Sequence, residues 1–483
     1  SDDTPNTCTV SFSTDGDYTM AMECTDLAGN GSNRADTPEF TIDKTVPTIS
    51  VAFDNNNALN GKYYSTPRTA TITVNEHNFN GSEVQTAINA TLQSQGITPP
   101  GVNGWSGGGD IHTATVHFGT DGDYSFNINY TDMAGNPATV YNVEQFTIDQ
   151  TKPEIEIFDV IDKSANNGLI EPGVRYSDVN YDTAGVEITI EGANHGKQSV
   201  DGTRSSIPNG ESIKMADFIH EKEMDDVYTL TAKVTDRAGN SDEKSVVFSV
   251  NRFGSTYEFS SETKSLLSNY YSNKEKDLVI IETNVDTLEH RGISYGRDGE
   301  LVTLEEGKDY QVRESGSEVS WKRYEYTIPA KNFEKEGRYN ITIDSVDRAE
   351  NEVNNKVKNT DIEFVIDKTA PSVVITGIEN RKQYRSNSRD VVIKVTDNIA
   401  IGDMDVYVDE NDSVKHYDEK TIRKQKGEVV YTLDSSTDWQ KIKAIAADAA
   451  GNSIETGQYS VLITSNILVQ FYRNTPLFIG SII

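Results

Sequence analysis

Apolar and polar residues alternate along this chain in short runs. Residues 69–74 read Thr-Ala-Thr-Ile-Thr-Val, and residues 391–395 read Val-Val-Ile-Lys-Val. A period of two sends successive side chains to opposite faces of a strand. The runs are separated by Gly, Asp, Asn and Pro, which turn the chain. No stretch keeps a 3.6-residue apolar period over several turns, so the pattern predicts an all-β protein. One short helix is expected over 81–95 (GSEVQTAINATLQSQ).

A phrase recurs through these strands: CTDLAGN at 24–30, YTDMAGN at 130–136, VTDRAGN at 234–240, VDRAEN at 346–351 and ADAAGN at 447–452. The aspartates are Asp26, Asp132, Asp236, Asp347 and Asp448, so successive copies lie 106, 104, 111 and 101 residues apart. A period near 100 residues is one β-sandwich, not a solenoid repeat. A second phrase follows each of the first four: FTIDKTVP at 40–47, FTIDQTKP at 146–153, FSVNRFG at 248–254 and FVIDKTAP at 364–371. In three of them a proline stops one strand and opens the next. These phrases are taken as domain boundaries with linkers of a few residues. The expected organisation is half a domain at 1–46, then domains at 47–152, 153–253, 254–370 (the longest, with an insertion) and 371–466, then a segment at 467–483.

One tyrosine orients the strands. Thr-Asp-Gly-Asp-Tyr at 14–18 recurs at 120–124, and Tyr18, Tyr124, Tyr228 and Tyr339 each stand eight residues before a repeat aspartate. A polar turn followed by a tyrosine opening a strand resembles the tyrosine corner of immunoglobulin-like sandwiches, where the phenol bonds to turn backbone. The tyrosine then opens strand F, TDxAGN is the F–G loop, and FTID ends strand G. In the last domain Gln440 stands in the tyrosine position. By parity Tyr18, Met20, Met22 and Cys24 share one face of F, and Cys8, Val10 and Phe12 share one face of E. If both faces point inward, Cys8 and Cys24 meet. A disulfide between them would contribute about 3 kcal/mol; the alternative is two free buried thiols. Strands E, F and G alone do not close a core, so a continuation upstream of residue 1 is expected.

Composition narrows the function. There are 76 acidic and 44 basic side chains, a net charge of −32, which disfavours nucleic acid as a partner because phosphate contacts need a basic face. The same charge suits a self-repelling rod or a cation-binding surface. The end of the chain, PLFIGSII at 476–483, is almost wholly apolar but too short to span a bilayer, which takes about 20 residues. It is taken as the beginning of a membrane anchor.

These phrases resemble bacterial immunoglobulin-like domains of large surface proteins and adhesins, over 47–466 plus the leading half domain. The run YYSTPRTATITVNEHNF at 63–79 and the C-terminal tail resemble such proteins from Gram-positive, Firmicutes-type bacteria. The resemblance implies an extracellular, anchored array of sandwiches that displays, spaces or adheres. No cofactor is required by it. Adhesins with similar repeats often hold calcium at their joints, so calcium is the ion to consider.

The sequence has no His-Glu-x-x-His and no phosphate-cradling glycine loop, and the seven histidines are scattered. No catalytic residue is assigned and the chain is not expected to be an enzyme. The predicted topology does gather acidic groups. The boundary residue, the B–C loop and the F–G loop converge where one domain enters the next. The trios are Asp43, Glu76 and Asp132; Asp149, Asp178 and Asp236; and Asp367, Asp397 and Asp448. The remaining joint offers a weaker set, Asn251, Asn284 and Asp347. Calcium takes six to eight oxygens, several from carboxylates. The competing explanation is that Asp and Asn there serve only the turns.

Three functions remain open at this level. The first is a stalk or adhesin that carries a distal domain. The second is a receptor for a host or neighbouring-cell glycoprotein, glycan or immunoglobulin, gripping it through exposed aromatics. Trp105, Tyr295, Tyr310 and Trp321 are the candidates, although a core position suits Trp105 better. The third is the accessory stalk of a surface enzyme whose catalytic domain lies elsewhere.

Overall fold

The alternating runs become strands, and the strands collect into face-to-face sheets. The structure, a computed structural model, describes residues 5–88, 92–93, 95–215, 221–409 and 413–474. In the first complete sandwich, Thr48–Phe53, Arg68–Asn75, Ile111–Phe118 and Ser106–Gly108 lie side by side, in the order A-B-E-D of an immunoglobulin-like fold. Facing them are Tyr63–Tyr64, Tyr141–Ile148, Gly122–Asn129 and Gln85–Ala87, the order A′-G-F-C. Strand A′ runs parallel to G and the other pairings here are antiparallel.

Register follows the apolar alternation. Arg68–Asn75 pairs with Ile111–Phe118 so that Ile72 lies opposite Ala114, and Ala70 opposite Val116. Ala70, Ile72, Val74, Val116 and Phe118 are all fully buried. A slip of one residue would turn this set to solvent, which is why the pattern dictates the pairing. Phe146 on G meets Phe118, Tyr124, Phe53 and Tyr64 at ring-centroid distances of 5.0 to 6.0 Å, filling the space between the sheets.

The plan repeats three times. The second sandwich adds a C′ strand, Gly196–Gln198, beside C. The third inserts a helix, Ser261–Asn269, between A and A′, capped by Ser260, with Thr263 and Leu266 buried. The fourth has a three-stranded first sheet and a helix, Glu419–Lys424, that buries Ile422. Each of the four closes around its own hydrophobic cluster. The F strands are Gly122–Asn129, Asp226–Asp236, Gly337–Asp347 and Gln440–Asp448.

Three expectations are corrected. Within 81–95, residues Gln85–Ala87 are a strand paired with Asn127–Asn129, because F needs an edge partner there; residues 89–91 and 94 lie outside the described residues. Residues 5–15 form no E strand. In the complete sandwiches E is held by B, and no B partner lies beside 5–15 among the described residues. What remains is a short ribbon, Gly16–Tyr18 with Phe40–Ile42, on which Phe12, Tyr18 and Phe40 cluster. Consequently Cys8 and Cys24 share no inner face. Both are exposed, free thiols, not a disulfide or a buried pair. The apolar end at 476–483 lies outside the described residues. Among those described, no helix is long and apolar enough to cross a membrane.

Candidate interdomain cation sites

The F–G loop is built by one aspartate and one asparagine. In the second copy, Asp132 Oδ1 accepts from the backbone N–H of Ala134 and Asn136, while Oδ2 accepts from the Asn136 side chain at 2.8 Å. The glycine between them, Gly135, has φ of 93°, a conformation that side chains avoid. Asp26, Asp236 and Asp448 make the same bonds to the Asn backbone and side chain with Asn30, Asn240 and Asn452. The tyrosines hold the other side of strand F. Tyr18, Tyr124, Tyr228 and Tyr339 donate their phenol O–H to the carbonyls of Thr14, Thr120, Met224 and Lys335, each four residues upstream. Burial raises the pKa of the last three phenols, so they remain donors.

The loop asparagine then reaches the preceding domain. Asn136 Nδ2 donates to the Asp43 carbonyl at 3.2 Å, Asn240 to the Asp149 carbonyl at 2.8 Å, and Asn452 to the Asp367 carbonyl at 2.8 Å. This positions the boundary aspartate against the F–G aspartate. The B–C loop adds the third group, its carboxylate held by backbone N–H groups: Asn78 on Glu76, Asn180 on Asp178, and Ile399 and Ala400 on Asp397.

Three carboxylate trios result: Asp43, Glu76 and Asp132; Asp149, Asp178 and Asp236; Asp367, Asp397 and Asp448. Within each, one ligand atom per residue lies within 4.8 Å of the others. Seven of the nine residues are buried; Asp43 and Asp397 are half-buried. Two oxygens bound to one calcium at about 2.4 Å can be at most about 4.8 Å apart, so each trio can share an ion. At the last joint Asp367 is wholly buried. Its Oδ1 accepts from Thr369, but Oδ2 has no hydrogen-bond partner, and neither does Asp397 Oδ2. A buried carboxylate oxygen without a donor is costly, and a cation is one group that satisfies it. The electrostatics agree. Burial, followed by the neighbouring carboxylates, raises the pKa of Asp367 and Asp178 to about 6. Glu76 and Asp149 are raised as well, chiefly by burial.

The remaining joint differs. Asn251, Asn284 and Asp347 do come together, joined by Asp286, which sequence reasoning missed. Here the boundary residue is an amide that donates. Also missed were the loop asparagines, whose signal was present as the last letter of every TDxAGN copy.

The aromatics proposed as ligand contacts do not form an exposed set. Tyr295, on strand Leu288–Arg297, and Tyr310, in the turn before Gln311–Ser315, both belong to the core of the third sandwich. Trp105 is half-buried against Phe79 and donates to the Gly81 carbonyl at 3.1 Å. Trp321 is half-buried and donates to Asp226 of the second sandwich, which makes it a joint residue.

Comparison with known proteins follows the same line. Residues 179–250 match the family described as Bacterial Ig-like domain, and residues 322–408 match Bacterial Ig-like domain (group 3). The second match runs from strand E of the third sandwich to strand C of the fourth, across the joint at Asp367. No curated protein matches the chain. Among solved structures, a tetra-tandem repeat in the extending region of a large adhesion protein aligns with 87% of this chain and 100% of its own, at 14% identity and a TM-score of 0.34. Domains A168–A170 of titin align with 64% of this chain and 99% of their own, at 12% identity and a TM-score of 0.28. Those likenesses are too distant to carry an argument; the strand orders, separate cores and family matches are what count. The chain is a tandem series of immunoglobulin-like β-sandwiches containing segments recognised as bacterial Ig-like domains.

Proposed function

We propose that this chain is a non-catalytic extracellular stalk that spaces and displays a distal, adhesive part of a bacterial surface protein, and that calcium stiffens it at three joints. The observation that carries this is the recurrence of one three-carboxylate geometry where three successive sandwiches are entered, once from the leading ribbon and twice from a preceding sandwich. In each trio the first carboxylate belongs to the end of the preceding unit and the other two to the loops of the next. An ion bound there ties neighbours together, while an empty trio pushes them apart. Irregular oxygen donors at partly buried loops suit calcium better than magnesium, which demands a compact octahedron. The net charge of −32 adds a general preference for cations. The family matches support the extracellular, bacterial setting. A receptor role would need exposed aromatic contacts, and the burial of Tyr295 and Tyr310 shifts support toward the stalk.

The test is calcium titration of the full chain after chelation. Calorimetry is expected to count three equivalents. Small-angle scattering is expected to show a longer, narrower distribution of distances with calcium. At a calcium concentration of 100 times Kd, each occupied joint gains about 2.7 kcal/mol. No heat of binding, or identical scattering and melting with calcium and with chelator, would refute the calcium joint.

A further inference from the structure

The joint between the second and third sandwiches differs from the other three in its boundary residue, an amide where they have a carboxylate; at two of those, Asp43 and Asp149 accept from the side chains of Asn78 and Asn180. Asn251, with no solvent exposure, takes the boundary position held elsewhere by Asp43, Asp149 and Asp367. Its side-chain Nδ2 lies 2.9 Å from Asn284 Oδ1, 3.1 Å from Asp286 Oδ2 and 2.8 Å from Asp347 Oδ2. One NH₂ group therefore faces oxygens from the B–C and F–G sides at once, which is what a cation would do. The surrounding groups are also satisfied. Ser249 Oγ donates to the other Asp286 oxygen at 2.6 Å, and Asn284 donates to Asp347 and to Ser255. Asn351 repeats the loop bond, donating to the Asn251 carbonyl at 2.8 Å.

More contacts reinforce this joint from outside. Trp321 donates its indole N–H to Asp226 across the boundary. Arg348, in the F–G loop, donates to the Lys163 carbonyl at 2.6 Å, and Lys163 pairs with Glu318. In the linker, Arg252 forms a buried pair with Asp225 at 2.8 Å. Ser255 stands where the other boundaries have proline, and Gly254 before it, with φ of 73°, donates its backbone N–H to Asn251 Oδ1.

We propose that the Asn251 amide locks the second and third sandwiches into one body without a metal ion, while the other joints stiffen only when calcium binds. The stalk thus has a permanently rigid middle and cation-controlled joints on either side. The second half of this statement rests on the calcium reading above; the first half does not.

Two measurements on the full chain separate them. In the first, amide hydrogen exchange is followed with chelator and with calcium chloride. The amides of Asn136, Asn240, Asn351 and Asn452 report one joint each, because each bonds to its F–G aspartate. In chelator, Asn351 is expected to exchange at least tenfold more slowly than the other three. Calcium is expected to slow those three and leave Asn351 unchanged. If Asn351 exchanges as fast as the others in chelator, or responds to calcium as they do, the lock is overturned. If calcium slows none of the joints while Asn351 stays protected, only the calcium reading falls. In the second measurement, Asn251→Asp removes the NH₂ and completes a carboxylate set with Asp286 and Asp347. This variant is expected to bind one more calcium than the parent chain and to make Asn351 protection calcium-dependent. Loosening in chelator that calcium reverses supports the proposal; no additional equivalent of calcium, or loosening that calcium does not reverse, overturns it.

Discussion

Asp367→Asn is expected to stabilise the calcium-free joint between the third and fourth sandwiches, by an amount set by pH. In the parent chain burial and two facing carboxylates raise the Asp367 pKa from 3.8 to about 6. A carboxyl whose folded-state pKa is raised favours the folded joint in its protonated form. That contribution is fully present below about pH 3.8 and is lost as pH rises through about 6. By pH 7.5 the loss approaches about 3 kcal/mol, at 1.36 kcal/mol per pKa unit. Asn removes the charge, and its NH₂, standing in place of the unpartnered Asp367 Oδ2, can supply the donor that Asp397 Oδ2 lacks, as Asn251 does one joint earlier. The assay is amide exchange of Asn452 and strand Gln440–Asp448 in chelator, taken as the ratio of parent to variant so that intrinsic pH effects cancel. At pH 7.5 the variant is expected to exchange about two decades more slowly; at pH 4 the ratio approaches one. A ratio that is the same at both pH values, or a variant less protected at pH 7.5, would refute the electrostatic account.

Two further outcomes follow from single contacts. Tyr228→Phe leaves the buried end of strand F without its bond to the Met224 carbonyl and is expected to lower the stability of the second sandwich by about 1–2 kcal/mol in urea unfolding; no loss would mean that the corner is not a stabilising contact. Glu350→Gly is expected to raise the stability of the third sandwich by about 1 kcal/mol, because Glu350 sits at φ of 64° in the position that Gly135, Gly239 and Gly451 fill elsewhere; an unchanged or lower unfolding midpoint would contradict this.

Much of the fold was legible because sheets are written in alternation. The phrase around Tyr124 and Asp132 indicated the F strand, the corner and the F–G loop, and the structure places all three on consecutive residues. Local signals were enough there, since a tyrosine bonding four residues back and an aspartate bonding four residues forward are short-range contacts. Strand C of the first sandwich was not legible. Gln85–Ala87 is held by its pairing with Asn127–Asn129, some forty residues away, and its own sequence reads as readily as a helix. The expected E strand at 8–12 failed for the same reason in reverse: its alternation is correct, but a strand needs a partner to complete its hydrogen bonds, and the described residues supply none there. Tyr295 and Tyr310 were misjudged because an aromatic at a strand or turn position gives no sign of whether it will be covered.

For the candidate sites, sequence by itself determined the repeat, its period of about 100 residues, the all-β class and the acidic residues carried by each boundary and loop. Those depend on spacing and residue type, which the chain carries locally. Only the tertiary structure decided that each trio closes to within 4.8 Å, that Asp367 Oδ2 is buried without a donor, and that Asn251 spans its joint with a single amide. The physical reason is distance: the groups at one joint come from positions roughly thirty to one hundred residues apart, and whether they attract, repel or bridge depends on separations of a few ångströms that no local pattern encodes.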